Sequence, residues 1–123
     1  MRRALLDRLV VWKNNPRRKP LILNGARQVG KTWLLKEFGR LHFENVAYVS
    51  LDSDVLAQSY FDSGFDIARI IASLSLELGM DIRPGSTLIV LDEVQAAPKA
   101  ITSLKYFCEN APGIAVAAAG SLL

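Results

Sequence analysis

The chain has 123 residues, of which 50% are hydrophobic and 22% are charged, and its formal net charge is +3. This composition is ordinary for one globular domain, and the length suffices for a proper hydrophobic core. No apolar run approaches membrane-spanning length, and the basic start lacks the long apolar stretch of a signal peptide, so no membrane partner is expected. Cys108 is the only cysteine, which excludes an intrachain disulfide and favours a cytoplasmic location.

The first 19 residues are strongly basic. They carry a charge of +6, with Asp7 as their only acid, whereas the remaining 104 residues carry −3. One interpretation is a patch for nucleic acid or an acidic partner, but no nucleic-acid motif supports it. The other is the solvated face of a helix, at about residues 2–14, followed by a basic loop. Leu5, Leu9 and Trp12 recur at helical spacing, so this helix is predicted to dock on the body through that stripe.

The next stretch combines a strand, a glycine-containing loop and a helix. Residues 21–24 are a short apolar run after Pro20 and read as a buried strand. Residues 25–32 fit the pattern G-x-x-x-x-G-K-[ST]. Residues 31–41 then have apolar side chains at helical spacing, which predicts a helix with an inward face made of Trp33, Leu34, Leu35, Phe38 and Leu41.

This order of elements predicts a phosphate-binding loop. Glycines let backbone N–H groups approach phosphate oxygens, and the first turn of the following helix adds positive potential there. Lys31 is expected to reach the β- and γ-phosphates, and the Thr32 hydroxyl is expected to ligate Mg²⁺. The predicted nucleotide-binding residues are Gly25, Ala26, Arg27, Gln28, Val29, Gly30, Lys31, Thr32 and Trp33.

The middle of the chain reads as a second strand, a loop and a core helix. Residues 46–51 are predicted to form the strand, and residues 52–62 a polar loop with one helical turn at residues 55–60. A helix over residues 66–78 follows, which Gly79 is suited to end. Its apolar residues are most simply explained by core packing.

A third strand, at residues 87–91, runs into the acidic pair Asp92 and Glu93. After a phosphate-binding loop, such a strand supplies the second half of a nucleotide site. Asp92 is expected to hold Mg²⁺ through water or through Thr32, and Glu93 to activate or orient the water that attacks the γ-phosphate. Because transfer of phosphate to a metabolite needs no water-activating carboxylate, Glu93 favours hydrolysis.

The last elements predicted are a helix and a small-residue strand. Residues 98–110 form the helix, with Pro98 in its first turn and Ile101, Leu104, Phe107 and Cys108 facing inward. Residues 114–119 form a strand that ends at Gly120 and Ser121. Its small side chains suit a central strand with helices on both faces.

Three motifs together resemble the AAA+ superfamily: the loop at residues 25–32 (Walker A), Leu-Asp-Glu-Val-Gln at residues 91–95 (Walker B) and Ala-Gly-Ser-Leu-Leu at residues 119–123. In particular, the chain is similar to prokaryotic ATPases in which an AAA domain precedes a DUF4143 domain. The resemblance implies an α/β fold, the three-layer P-loop NTPase fold, with a parallel sheet in the order 2-3-4-1. It also implies that Ser121 is the sensor 1 residue, and that Asp52 or Ser50 restrains Glu93.

Relatives in this superfamily continue past sensor 1 with a fifth strand, an arginine finger, a helical lid and a C-terminal region. On this comparison residues 1–123 are expected to be a partial ATPase domain, the N-terminal part of a longer protein. The strand at residues 21–24 would then lie at an open sheet edge, which favours self-association or a protein partner.

Two functions follow from these patterns. The first is a cytoplasmic ATPase that binds ATP or ADP with Mg²⁺ and hydrolyses ATP through Lys31, Thr32, Asp92, Glu93 and Ser121. The second is a nucleotide-gated binding module with little turnover, which acts on a protein or, with weaker support, on nucleic acid. Both functions use the same site, so the motifs alone do not separate them.

Overall fold

The computed structural model describes residues 2–24 and 29–121. Within these ranges the helices and strands follow the predicted order, and most of them begin and end within two residues of the predicted bounds. They are α1 (Arg2–Asn14), β1 (Leu21–Asn24), α2 (Val29–His42), β2 (Asn45–Ser50), α3 (Val55–Asp62), α4 (Ile67–Leu78), β3 (Thr87–Asp92), a 3₁₀ turn (Val94–Ala96), α5 (Pro98–Asn110) and β4 (Ala115–Gly120).

The four strands form one parallel sheet in the order β1-β4-β3-β2, which confirms the predicted order and fold class. In this sheet Ser50 lies beside Asp92, and Asn24 beside Gly120. Because all four strands are parallel, their carboxyl ends meet at one edge, where ligands of open α/β sheets bind. The functional candidates on three different strands are therefore neighbours.

Helices cover both faces of the sheet and give the molecule three layers. On one face α1 and α2 pack against every second residue of β3 and β4, such as Leu88, Val90 and Ala117. On the other face α3, α4 and α5 pack against the residues between them, such as Ile89 and Leu91. All six residues of β3 and all six of β4 are buried, as expected for central strands.

Helix α3 corrects the prediction of a polar loop with a single helical turn. The Asp54 carboxylate accepts a hydrogen bond from the Ala57 backbone N–H at 2.9 Å and caps the helix. Ala57 and Phe61, four residues apart, are fully buried against the core. The two apolar anchors and the cap sustain two helical turns despite the polar sequence around them.

The predicted inward face of α2 is too wide. Leu34, Leu35 and Phe38 are buried, but Trp33 and Leu41 lie at the margins of the face and are 44% and 50% exposed. Gly39, on the same helix, faces the sheet: a Cβ placed there would lie 2.3 Å from Val46 Cγ2. Glycine therefore lets α2 approach the sheet closely.

The predicted stripe of α1 also needs correction. Leu9 is buried, and Trp12 packs beside it and donates a hydrogen bond from Nε1 to the Lys19 carbonyl at 2.7 Å. Leu5, however, is 43% exposed, and Leu6 and Val10 pack on the core instead. The docking face is thus rotated toward the side of Leu6.

Strand β1 lies at an edge of the four-stranded sheet. Among the described residues β1 pairs only with β4, and its Ile22 side chain is 46% exposed. Self-association through this edge stays a prediction.

Cys108, which was predicted to face inward, is only partly buried, since Leu104 and Phe107 provide the buried face of α5. In the described part of the chain, none of the helices has the length and apolar character needed to cross a membrane.

Candidate functional site

The site is organised by a contact between α2 and the end of β3. The Thr32 hydroxyl, in the first turn of α2, donates a hydrogen bond to Asp92 Oδ2 at 2.6 Å. Asp92 is 6% exposed, so its carboxylate is held inside the protein and needs such donors. The structure thereby brings together the two residues that the sequence predicted as magnesium ligands.

Asp92 has two further donors. The Tyr48 hydroxyl, from β2, donates to Oδ2 at 2.7 Å, and the Glu93 backbone N–H donates to Oδ1 at 2.9 Å. Burial and the neighbouring Asp92 carboxylate raise the pKa of Tyr48, so its hydroxyl remains protonated and able to donate. The Lys36 ammonium lies over the Tyr48 ring, 4.1 Å from its centroid, and this cation–π contact also helps to fix the ring.

Tyr48 was not predicted as a site residue. The sequence carried a signal, because the residue two places before the end of β2 lies on the same face as Ser50, near the carboxyl edge. The pairing of Ser50 with Asp92 then places Tyr48 diagonally from Asp92. Only the register of the two strands, which the sequence does not supply, selects this partner.

Lys31 lies at the same edge, one residue before Thr32. Its Nζ donates a hydrogen bond to the Gly120 carbonyl at the end of β4, at 2.7 Å. This bond orients the side chain along the carboxyl edge of the sheet. The lysine is thus tied to the strand that ends at the predicted sensor residue.

Glu93 has an unusual backbone conformation. With φ 50° and ψ 46° it is in the left-handed region, and no other described residue except glycine has a positive φ. This conformation costs about 1–2 kcal/mol for a residue with a side chain, and such strain is concentrated at functional sites. It turns the chain sharply after β3 and leaves the Glu93 side chain partly exposed beside Asp92.

The residue that holds Glu93 differs from the prediction. Ser50 Oγ donates to Asp52 Oδ1 at 2.6 Å, so these two side chains bind each other. Glu93 Oε1 instead accepts a hydrogen bond from Gln95 Nε2 at 3.0 Å. The expectation of restraint by Ser50 or Asp52 is therefore wrong, because a short local bond between neighbouring polar residues prevails.

Ser121, the predicted sensor residue, follows β4 directly and is partly buried. Its backbone N–H donates to Gln95 Oε1 at 3.3 Å. Gln95 is thus a second site residue, besides Tyr48, that the sequence patterns did not predict. Its signal is its position two residues after Glu93, in the 3₁₀ turn that follows β3.

Four of the predicted loop residues, Gly25, Ala26, Arg27 and Gln28, lie outside the described residues. Helix α2 begins at Val29, so Gly30, Lys31 and Thr32 occupy its first turn. The unpaired N–H groups of a helix's first turn bind anions. Apart from Gly30, its chain neighbours and the backbone of its own helix, no described atom lies within 4 Å of a Cβ built on Gly30. Trp33, which follows Thr32 on α2, is exposed.

The side chains of Thr32 and Asp92 are suited to hold the Mg²⁺ ion of a bound nucleotide. A hydroxyl and a carboxylate are hard oxygen ligands, and Mg²⁺ is usually bound by one or two such groups together with phosphate oxygens and water. Among residues 2–24 and 29–121 no group of three or more His, Cys, Asp or Glu side chains gathers to form a metal cage. The donor set therefore matches magnesium held jointly by protein and phosphate.

A comparison with protein families agrees with this geometry. A family model described as an AAA domain matches residues 17–123, which is most of the chain and includes every site residue named above. A search of curated proteins finds no match. AAA domains are nucleotide-binding domains of the ATPase type, and they generally bind ATP with Mg²⁺. The chain belongs to the AAA domain family.

Proposed function

We propose that the protein binds ATP with Mg²⁺ and hydrolyses it at the carboxyl edge of the sheet. The observation that carries the proposal is the 2.6 Å hydrogen bond between Thr32 and Asp92. It places a hydroxyl and a buried carboxylate together at the start of a helix that also carries Lys31. Family membership supports an ATPase-type function in general, and the named residues supply the specific roles.

Lys31 and the first turn of α2 would bind the phosphates. The ammonium, oriented by the Gly120 carbonyl, would donate to β- and γ-phosphate oxygens and offset their charge. The backbone N–H groups at residues 29–32 would add to this positive end. The sequence pattern predicts that residues 25–28 belong to the same phosphate-binding loop.

Thr32 and Asp92 would hold Mg²⁺. The Thr32 oxygen would ligate the ion directly while its O–H donates to Asp92 Oδ2, and Asp92 would bind water molecules of the ion's shell. When bound, Mg²⁺ neutralises the charge that develops on the phosphate oxygens. Tyr48 and the Glu93 N–H keep the Asp92 carboxylate in one orientation.

Glu93 would orient and deprotonate the attacking water. Its strained backbone turns the carboxylate away from the strand, and Gln95 holds one of its oxygens. A positioned carboxylate of this kind contributes typically 10²–10⁴-fold to a rate. This residue favours hydrolysis over transfer of the phosphate to another molecule, and over a module that only binds nucleotide.

Calorimetry with Mg·ATP and Mg·ADP tests the binding part of the proposal. Wild-type protein should bind both nucleotides, and Lys31→Ala should lose about 100-fold or more in affinity, since it removes a charge-assisted contact to phosphate. Lys105→Ala, an exposed lysine on α5, is the matched control and should bind as wild type does. Equal affinity of wild type and Lys31→Ala would refute the proposed site.

A further inference from the structure

A continuous series of hydrogen bonds joins Lys31 to Glu93 through one peptide group. Lys31 Nζ donates to the Gly120 carbonyl at 2.7 Å, and the N–H on the other side of the same peptide group, that of Ser121, donates to Gln95 Oε1 at 3.3 Å. Gln95 Nε2 then donates to Glu93 Oε1 at 3.0 Å. Every donor points in the same direction along the series, from the phosphate-binding lysine to the acidic residue.

The side-chain amide of Gln95 is well suited to its place in this series. Its two neighbours have opposite requirements, because the Ser121 N–H can only donate and an ionised carboxylate can only accept. The amide must therefore present its oxygen to Ser121 and its nitrogen to Glu93, which fixes its orientation. Neither Glu nor a hydrophobic residue at this position could satisfy both neighbours.

The backbone around Gln95 is rigid. Gln95 lies in the 3₁₀ turn between Val94, which is fully buried, and Ala97, which is 5% exposed. The Ala96 N–H donates to the Glu93 carbonyl and the Ala97 N–H to the Val94 carbonyl, both at 3.0 Å. The turn is thus fixed to the core on both sides of Gln95, so its side chain can hold Glu93 in a defined position.

We propose that Gln95 is a positioning residue, which holds the Glu93 carboxylate and links its orientation to Lys31 through the Gly120–Ser121 peptide group. Hydrogen bonds in such a series polarise one another, so a change at one end reaches the other. When Lys31 donates hydrogen bonds to a phosphate, its bond to the Gly120 carbonyl weakens. The bonds from Ser121 to Gln95 and from Gln95 to Glu93 weaken in turn. Phosphate binding at Lys31 would thereby reach the Glu93 carboxylate, which Gln95 keeps in the position from which it acts on water. The role of Glu93 in this inference rests on the proposed function.

Kinetics test the positioning role. Gln95→Ala and Gln95→Glu should lower kcat about tenfold while nucleotide affinity changes by less than about twofold, because Gln95 acts on Glu93 and not on the phosphates. In a Glu93→Gln background the same changes should lower the residual rate no further. The control is Gln58→Glu: the Gln58 side chain donates to the Leu51 carbonyl on α3's side of the sheet and does not contact Glu93. An unchanged kcat in both Gln95 variants, or an equal further loss in the Glu93→Gln background, would overturn the inference.

A measurement without turnover tests the series itself. The side-chain NH₂ resonances of Gln95, assigned by comparison with Gln95→Ala, should shift in Glu93→Ala, in Lys31→Ala, and in wild type saturated with ADP. The Gln58 resonances serve as the internal control and should stay in place. If the Gln95 resonances are the same in all three cases, the series does not exist in solution. Because this readout needs no hydrolysis, it decides the inference even if Glu93→Gln or Lys31→Ala shows that the proposed function is wrong.

Discussion

Thr32 and Asp92, which are 60 residues apart in the chain, are joined by a hydrogen bond of 2.6 Å from hydroxyl to carboxylate. The bond ties the first turn of α2 to the end of β3. Groups that are fixed in this way need little reorganisation when a ligand binds or reacts. Electrostatic stabilisation by such preorganised groups is usually the largest single contribution to an enzyme's rate enhancement.

Tyr48 supports the same carboxylate from β2. Tyr48→Phe removes one donor to Asp92 Oδ2 but keeps the ring that faces Lys36. A hydrogen bond to a charged group contributes about 1.5–3 kcal/mol, so the free energy of unfolding should fall by about that amount. Urea unfolding followed by circular dichroism measures the change.

Tyr106→Phe provides the matched control for this experiment. The Tyr106 ring stacks on Phe65 with centroids 4.9 Å apart, and Tyr106→Phe retains the stack. Its unfolding free energy should stay within about 0.5 kcal/mol of wild type. Equal stability of Tyr48→Phe and wild type would mean that the bond to Asp92 contributes nothing in solution.

Gly39 controls how closely α2, with Lys31 and Thr32 at its start, lies against the sheet. Gly39→Ala would place a Cβ 2.3 Å from Val46 Cγ2, and the short valine side chain cannot move away freely. Overpacking costs about 1–3 kcal/mol, of which the better helix propensity of alanine returns up to about 1 kcal/mol.

We therefore expect Gly39→Ala to be less stable than wild type by about 1–2 kcal/mol in urea unfolding. Adding Val46→Ala makes room for the new methyl group, so the double variant should lose less stability than the two single changes together. If Gly39→Ala is more stable than wild type, the close approach of helix and sheet is not a constraint.

Glu77 links stability to pH. Its side chain shares a hydrogen bond with Asp54, and this bond, with a smaller effect of burial, raises the pKa of Glu77 above its ordinary value. The folded state then binds more protons than the unfolded state, so stability falls as pH rises from the ordinary glutamate range through the raised pKa. Above that window the loss is complete.

Glu77→Gln removes this loss, because an amide can donate to Asp54 and still accept from the Tyr60 hydroxyl, which lies 2.8 Å from Glu77 Oε1. At pH 7 the variant should melt about 2 °C above wild type, and at a pH below the ordinary glutamate range the difference should vanish. Glu109→Gln, on the exposed side of α5, is the control and should show no such pH dependence. A difference that grew on acidification would contradict the assignment.

The sequence was sufficient for the parts of the site that depend on local patterns and on one topological rule. Continuous runs of apolar or small residues identified β3 and β4, and the motifs at residues 25–32 and 91–95 predicted that Asp92 acts together with Lys31 and Thr32. The sequence was insufficient where a hydrogen-bond partner depends on the register of two strands, or on which of several neighbouring polar residues forms the bond. Tyr48 reaches Asp92 through the register of β2 on β3.

Gln95 illustrates the second limit. Polar residues at the end of β2 and just after β3 are all candidates to hold Glu93, and the sequence does not rank them. Ser50 donates a hydrogen bond to the Asp52 carboxylate, two residues further along the chain. Glu93 is held by Gln95 instead. Helix α3 was underestimated for a similar reason, since its stability comes from the packing of Ala57 and Phe61 and not from local propensity.

The most direct test of the account is the release of inorganic phosphate from ATP under single-turnover conditions, with Mg²⁺ present, by wild type and by Glu93→Gln. The amide keeps the size and the acceptor oxygen of Glu93 but cannot take a proton, so the rate should fall about 10²–10⁴-fold while ATP affinity changes little. Omission of Mg²⁺ should also abolish release by the wild type. Equal rates for wild type and Glu93→Gln, with ATP bound by both, would contradict hydrolysis at this site.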